Sequence, residues 1–269
     1  MTVNQSATYK STTPAGLFMA WWQARQPRLP WPTRWANALL PPQCHACGLP
    51  AESPGVDLCA QCLAALPFCA DSSREVVAAG ADRYCIPFGF AEPVAEFVRR
   101  LKFADERGLA RLLGALLAAA RAQQGHALPA ALLPVPLHVA RYRERGFNQA
   151  ERMAHAAARW LELRVDARAL ERVRATRAQT LLSAAERRAN LQRAFTVIDA
   201  PRRAPALPRH IALIDDVVTT GATAADAVRA LRAAGVHTIE LWAVARSLHA
   251  EHPQRAAVEE TDSDLRLRA

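Results

Sequence analysis

The chain has 269 residues, 51% of them hydrophobic and 22% charged, enough for one good core and a small appendage. Its longest apolar run, around 112–120, falls well short of the roughly 18 residues that span a bilayer, and no basic start leads into an apolar signal core, so a cytoplasmic protein is expected. The formal charge is +9, and the stretch 141–209, with 16 Arg against 7 acids and no Lys, accounts for all of it; such a surface suits polyanions, whether pyrophosphate or nucleic acid.

Residues 1–14 are polar and expected to be disordered. Residues 15–40 hold four of the six tryptophans, Trp21, Trp22, Trp31 and Trp35, interrupted by Pro27, Pro30 and Pro32. An amphipathic arm lying on the next domain is expected, with an exposed partner-binding segment as the alternative. Then come Cys44-x-x-Cys47 and, after eleven intervening residues, Cys59-x-x-Cys62. Two such knuckles can place four thiolates tetrahedrally around Zn2+, and Gly48 relieves the turn beside the metal. Disulfides suit a cytosolic chain poorly, and a redox CxxC explains one pair but not two. His45 and Cys69 are spare donors, but four cysteines already complete a site, and closed all-cysteine sites are structural.

Further on, a short strand is expected at 84–90, helices at 94–102 and 109–123, and a buried strand at 131–137. Lys102 is one of only 2 lysines against 32 arginines. A compact ammonium where arginine otherwise dominates is the usual situation of a phosphate-neutralising lysine, with chance survival as the plain alternative. Arg141, Arg143 and Arg145 alternate in an expected loop at the carboxyl end of a strand, where open α/β sheets bind ligands. An amphipathic helix over 148–163 and a strand at 170–173 follow. The Arg-, Thr-, Gln- and Ser-rich stretch 174–186 reads as a mobile lid, before a helix at 187–194 and a strand at 195–198.

The unit after Pro208 organises the rest. Ile211, Ala212, Leu213 and Ile214 suit a strand buried on both faces. Asp215 and Asp216 stand where it is expected to end. Thr219, Thr220, Gly221, Ala222 and Thr223 are small or hydroxylated, and a helix with Gly235 as its stop comes next. A small-residue loop at a helix N-terminus presents free amides to a phosphate, while paired carboxylates accept hydrogen bonds from vicinal hydroxyls and from the hydration shell of Mg2+. Together they describe a site for a ribose 5-phosphate, whereas either part alone could be an ordinary helix cap or turn. A last buried strand is expected at 238–245, and the tail from 250 is polar.

These residues resemble the phosphoribosyl-pyrophosphate (PRPP) signature of type I phosphoribosyltransferases. The resemblance implies that Asp215 and Asp216 hold the ribose hydroxyls and that the 219–223 loop cradles the 5-phosphate. Thr219 departs from purine-salvage members, which typically have an aspartate there acting on the base, and a hydroxyl does not replace that general base. With the double CxxC, RLKF at 100–103, PVPLH at 134–138, RERGFNQA at 143–150 and RRANLQRAF at 187–195 in this order, the chain resembles the ComF/GntX family over about 38–247. The resemblance implies an α/β fold with a phosphoribosyltransferase-like parallel sheet flanked by helices and preceded by a zinc ribbon. The expected division is tail and arm 1–40, ribbon 41–72, transferase-like domain 80–247 and tail 248–269.

It also implies a link to natural competence beside a DNA-translocating helicase. Two function classes stay open. One is a Mg2+-dependent phosphoribosyltransferase in which Asp215, Asp216 and the 219–223 loop bind PRPP with Lys102 neutralising its phosphate charge, while Arg141, Arg143 and Arg145 hold the pyrophosphate and the lid from Arg174 closes over it. Catalysis there is mainly electrostatic, with Asp215, Asp216 and Arg145 carrying it. The other is an adaptor that senses PRPP or holds single-stranded DNA.

Overall fold

The computed structural model describes residues 13–25, 42–51, 56–69, 79–104, 106–173, 194–198 and 206–247. In chain order these form α1 (Pro14–Arg25), α2 (Ala60–Ala64), β1 (Arg83–Cys85), β2 (Phe88–Gly89), α3 (Val94–Phe103), α4 (Arg107–Gln123), β3 (Ala131–Pro134), α5 (Val139–Arg145) and α6 (Gln149–Leu161). Then follow β4 (Arg164–Val165), β5 (Leu170–Arg172), β6 (Phe195–Val197), β7 (His210–Val218), α7 (Ala222–Ala233) and β8 (Thr238–Arg246).

The expected α/β sheet is present. Its strands run in the order β1-β8-β7-β3-β4, every neighbour parallel, with β2 continuing along β8 beyond β1. The near-continuous apolar runs of β7 and β8 follow from helices on both faces. Ala212, Ile214, Leu132 and Trp242 pack with α1, α3, α4 and α6, while Ile211, Leu213, Leu133 and Leu241 pack with α7 and the β5–β6 ribbon. That is period-2 alternation read in three dimensions. On the first face α4 and α6 approach so closely at Gly114 that an added Cβ would lie 2.7 Å from the Met153 carbonyl oxygen.

The α1 part of the Trp-rich arm lies on the domain as expected. Trp22 is buried, and its ring packs tilted by 47° against that of Trp160 on α6, with the centroids 4.1 Å apart. The arm's remainder, the 1–12 tail, the lid at 174–186, all but the last residue of the helix expected at 187–194, and the tail from 248 fall outside the described residues.

Three local differences from the sequence reading have physical reasons. Pro87 cannot donate to the ladder, so the strand expected over 84–90 is two pieces, β1 and β2. β7 does not end at the acids: Asp215 and Val217 still pair with Ala243 and Ala245, because β8 is long enough to keep the ladder going. The basic stretch expected as a loop is the helix α5, capped by the His138 ring accepting from the Ala140 amide and ended by Gly146 at φ 79°.

Candidate functional site

Chain order and strand order diverge at one place. After β3 the chain moves outward to β4, whereas after β7 it moves the other way to β8, so the switch point is the crevice between the carboxyl ends of β3 and β7. Open parallel sheets bind ligands there, since the outgoing segments leave on opposite faces and part. Asp215 and Asp216 stand on one side of this crevice and α5 with the start of α6 on the other. Asn148 fixes that second side, its amide donating to the Val135 carbonyl (3.0 Å) while its oxygen caps α6 at the Ala150 amide (3.0 Å).

A continuous polar chain crosses the crevice. Lys102, in the last turn of α3, reaches Asp216 with Nζ 2.8 Å from Oδ2. Gln149 donates to the same oxygen at 2.8 Å, and Arg145 donates to Gln149 Oε1 at 2.6 Å. Asp216 Oδ1 accepts the Val217 amide (2.7 Å). Asp216 is therefore a buried carboxylate held from both sides. Asp215 is only partly covered, and its Oδ1 accepts the Asp216 amide at 2.8 Å. Desolvation and the neighbouring Asp216 charge push its carboxyl up to about 7, against the pull of Lys102 and Arg172.

The sequence-predicted arginines part company. On a helix, Arg141 and Arg145 share a face and Arg143 does not. Arg145 is half-buried, and burial holds its guanidinium below the usual range while Asp216 pulls the other way. Arg141 is exposed, 3.9 Å from Glu144, and its field is felt at Arg145 and Arg172; Arg143 is exposed.

The loop at the start of α7 has Thr219 and Thr220 exposed, Gly221 buried at φ 73°, and Ala222 and Thr223 partly exposed. Thr220 Oγ1 lies 3.4 Å from the Ala222 amide. The first-turn amides thus face the same crevice end as the acids, with the positive end of a 12-residue helix behind them.

Sequence reasoning missed Gln149 and Arg172. Gln149 stood inside the RERGFNQA motif beside the helix-capping Asn148, which was the available signal. Arg172 comes from β5, a strand edge with no local motif; Asp215 and Asp226 both act on its charge, and burial opposes that charge. Asp226, on α7, holds the start of β6 by accepting the Ala194 (2.7 Å) and Phe195 (3.2 Å) amides.

The cysteines form a second site. The sulfurs of Cys44, Cys47, Cys59 and Cys62 all lie within 4.8 Å of one another, with Cys47 and Cys59 at 3.8 Å, and all are free thiols. A tetrahedral zinc with bonds of about 2.3 Å requires sulfur–sulfur edges of about 3.8 Å, so the donor set fits that metal. Burial opposes ionisation at Cys44, but the Cys59, Cys47 and Ala46 amides bring it down to about 7, while burial and the crowding thiols raise Cys59 and Cys62. Such a group ionises fully only around a cation. His45 and Cys69 are not in the cluster: His45 lies 3.9 Å from Asp57, and Cys69 lines an apolar cleft of about 350 Å3 with Phe18, Phe68, Cys85 and Leu116. None of the acidic-pair residues lines that cleft.

One arginine joins the two sites. Arg100 donates to the His45 carbonyl (2.8 Å) and grips Glu106 with two bonds, at 2.8 and 2.5 Å, and it lies two residues before Lys102 on the same helix.

No family model matches the chain. It is similar to DNA utilization protein YhgH of Escherichia coli O6:H1, 35% identical over 209 residues that cover 76% of this chain and 84% of that protein. It is 36% identical over 170 residues to Competence protein F of Haemophilus influenzae, covering 62% and 73% of the two chains. The YhgH protein of Salmonella typhimurium is 35% identical over 205 residues, 76% and 84% of the two chains. With relatives this similar over most of both lengths, the chain belongs to the ComF family.

Proposed function

We propose that this protein binds Mg2+-PRPP at the β3–β7 crevice, transfers the phosphoribosyl group with release of pyrophosphate, and serves DNA utilisation in the cytoplasm. The observation that carries the reading is the Lys102–Asp216–Gln149–Arg145 chain, which joins the carboxylate pair to the cationic side of the crevice. Asp215 and Asp216 accept the ribose hydroxyls. The amides of Thr219, Thr220, Gly221, Ala222 and Thr223 hold the 5-phosphate. Arg145 and Lys102, with Arg141 and Arg143 nearer the rim, face the pyrophosphate; preorganised cations aimed at a departing diphosphate are the largest contribution a protein makes to such a transfer. Bound Mg2+ supplies further charge neutralisation on the diphosphate. In this reading the ribbon at 41–72 holds a structural Zn2+ through Cys44, Cys47, Cys59 and Cys62 and is carried on the transferase-like domain at 80–247.

The relatives' names speak of DNA utilisation and competence, and the arginine excess over 141–209 suits a nucleic-acid backbone. Single-stranded DNA and a competence helicase are the partners proposed.

Titration of PRPP and of ribose 5-phosphate into wild-type protein and Arg145→Ala tests the assignment. Charge-assisted contacts to a phosphate are each worth about 1.5–3 kcal/mol, so the variant should lose PRPP affinity by about ten- to a hundredfold and keep its affinity for ribose 5-phosphate. Equal losses for both ligands would remove the pyrophosphate role.

A further inference from the structure

α3 ends in a way that its core-facing residues do not explain. Val94, Phe97, Val98 and Leu101 fill the interior, yet the next aromatic, Phe103, is 77% exposed, the most exposed large apolar side chain among the described residues. Its ring lies under the Arg145 guanidinium, whose central carbon is 5.6 Å from the ring centroid. Tyr142, 48% exposed, stands one helical turn before Arg145. Sequence inspection could not join these residues, because Phe103 and Arg145 are 42 positions apart and meet only through the fold.

A phenyl ring open to solvent beside a guanidinium is poor core material and a good seat for a flat, negatively flanked ligand. Proteins that hold single strands without reading their sequence pair cations that follow the phosphates with aromatic faces on which bases stack. Arg145 and Arg141, whose charge is felt at Arg145, supply the first, within a stretch of sequence whose arginine excess matches a polyanion; Phe103 supplies the second. A protein partner fits less well, since the exposed apolar side chains here, Phe103, Tyr142 and Val139, are interspersed with Arg141, Arg143 and Arg145, whereas the centre of a protein interface is depleted of charge.

We infer that Phe103 and Arg145 form a base-stacking seat for single-stranded DNA at the rim of the β3–β7 crevice, with one base on the Phe103 ring and the adjoining phosphodiester on Arg145. This rests on the DNA part of the proposed function, and it has a consequence for the PRPP part. Arg145 serves both ligands, so single-stranded DNA and PRPP compete.

Fluorescence anisotropy with a short labelled oligo(dT), for wild type, Phe103→Ala, Phe103→Leu and Phe103→Trp, tests it, with Mg2+-PRPP titration alongside as a control for folding. Phe103→Ala and Phe103→Leu should weaken oligonucleotide binding about 5- to 100-fold, Phe103→Trp should restore it, and the salt dependence should keep its slope because no charge is removed. Mg2+-PRPP binding should change far less than oligonucleotide binding in all three, because Gln149 still holds Arg145 when the ring beneath it is lost, and PRPP should displace the oligonucleotide from wild type. Wild-type binding that survives Phe103→Ala, or an equally tight Phe103→Leu variant, would overturn the stacking seat and leave DNA binding itself standing. Wild-type protein that binds PRPP but no oligonucleotide would overturn both the seat and the DNA part of the reading, while the transferase part would stand.

Discussion

Asp215 and Asp216 are adjacent in sequence and opposite in circumstance. Asp216 accepts from Lys102, Gln149 and its own strand's Val217 amide, so its charge is well supported. Asp215 is pushed up to about 7 chiefly by burial and then by Asp216. The signs of their stability effects follow. A carboxyl raised in the folded state costs stability fully above its folded value near 7, and the cost fades as pH falls toward the unfolded value near 4. Asp215→Asn should therefore raise unfolding free energy by about 1–2 kcal/mol at pH 8, after allowance for its partial exposure, and by much less at pH 4.5. Asp216→Asn should lower it by about 1–2 kcal/mol at pH 8, through loss of charge-assisted bonds. Urea unfolding at the two pH values reads both. With PRPP bound as proposed, its affinity should rise between pH 6 and 8, as the Asp215 carboxylate becomes available to the ribose.

At the far end of the sheet Arg121 is fully buried and forms a bidentate pair with Glu240 (2.7 and 2.8 Å), which also accepts from Trp242 Nε1 (2.7 Å) and lies 2.9 Å from His210 Nε2. Arg121→Ala takes the bidentate cation from a buried carboxylate that keeps Trp242, His210 and, at 3.7 Å, Arg83 as neighbours, and should cost about 3 kcal/mol in urea unfolding, the low end for breaking a buried pair. A loss under 1 kcal/mol would contradict the burial of that pair.

Elements explain what was legible in the sequence and what was not. The strand–acids–loop–helix unit could be read because its parts are contiguous and each obeys a local rule: apolar run, paired acids, glycine turn, helical periodicity. The arginine stretch 141–145 was assigned the right place and the wrong local form. Its helix depends on two caps, His138 and Gly146, that frame only seven residues, too few for periodicity to register. The Lys102 partner was also out of reach, since α3 meets β7 only through tertiary packing; its compositional oddity was the sole hint. Helix contacts carry their own test. Gly114 lies so close to α6 that Gly114→Ala should destabilise by about 1–3 kcal/mol through overpacking, measured by thermal or urea unfolding, although alanine is the better helix former.

Across the whole molecule, α3 is the bridge. Arg100 holds the cysteine ribbon at the His45 carbonyl, and Lys102, two residues on, holds Asp216. Zinc at the four cysteines would thus stiffen the platform from which Lys102 works. Elemental analysis of protein purified without chelator should find one Zn2+ per chain, and Cys59→Ser with Cys62→Ser should abolish it and lower the melting temperature. The ribbon was legible because ligand spacing alone defines a knuckle. Its docking through Arg100 was not, because one arginine among 32 carries no signal of its own. Isothermal titration of Mg2+-PRPP into wild type and the Asp215→Asn, Asp216→Asn double variant identifies the ligand of the crevice most directly. Saturable one-to-one binding by wild type, weakened at least tenfold in a double variant that is still folded, is the predicted result; no heat of binding by wild type, or equal affinity in the two proteins, would contradict it.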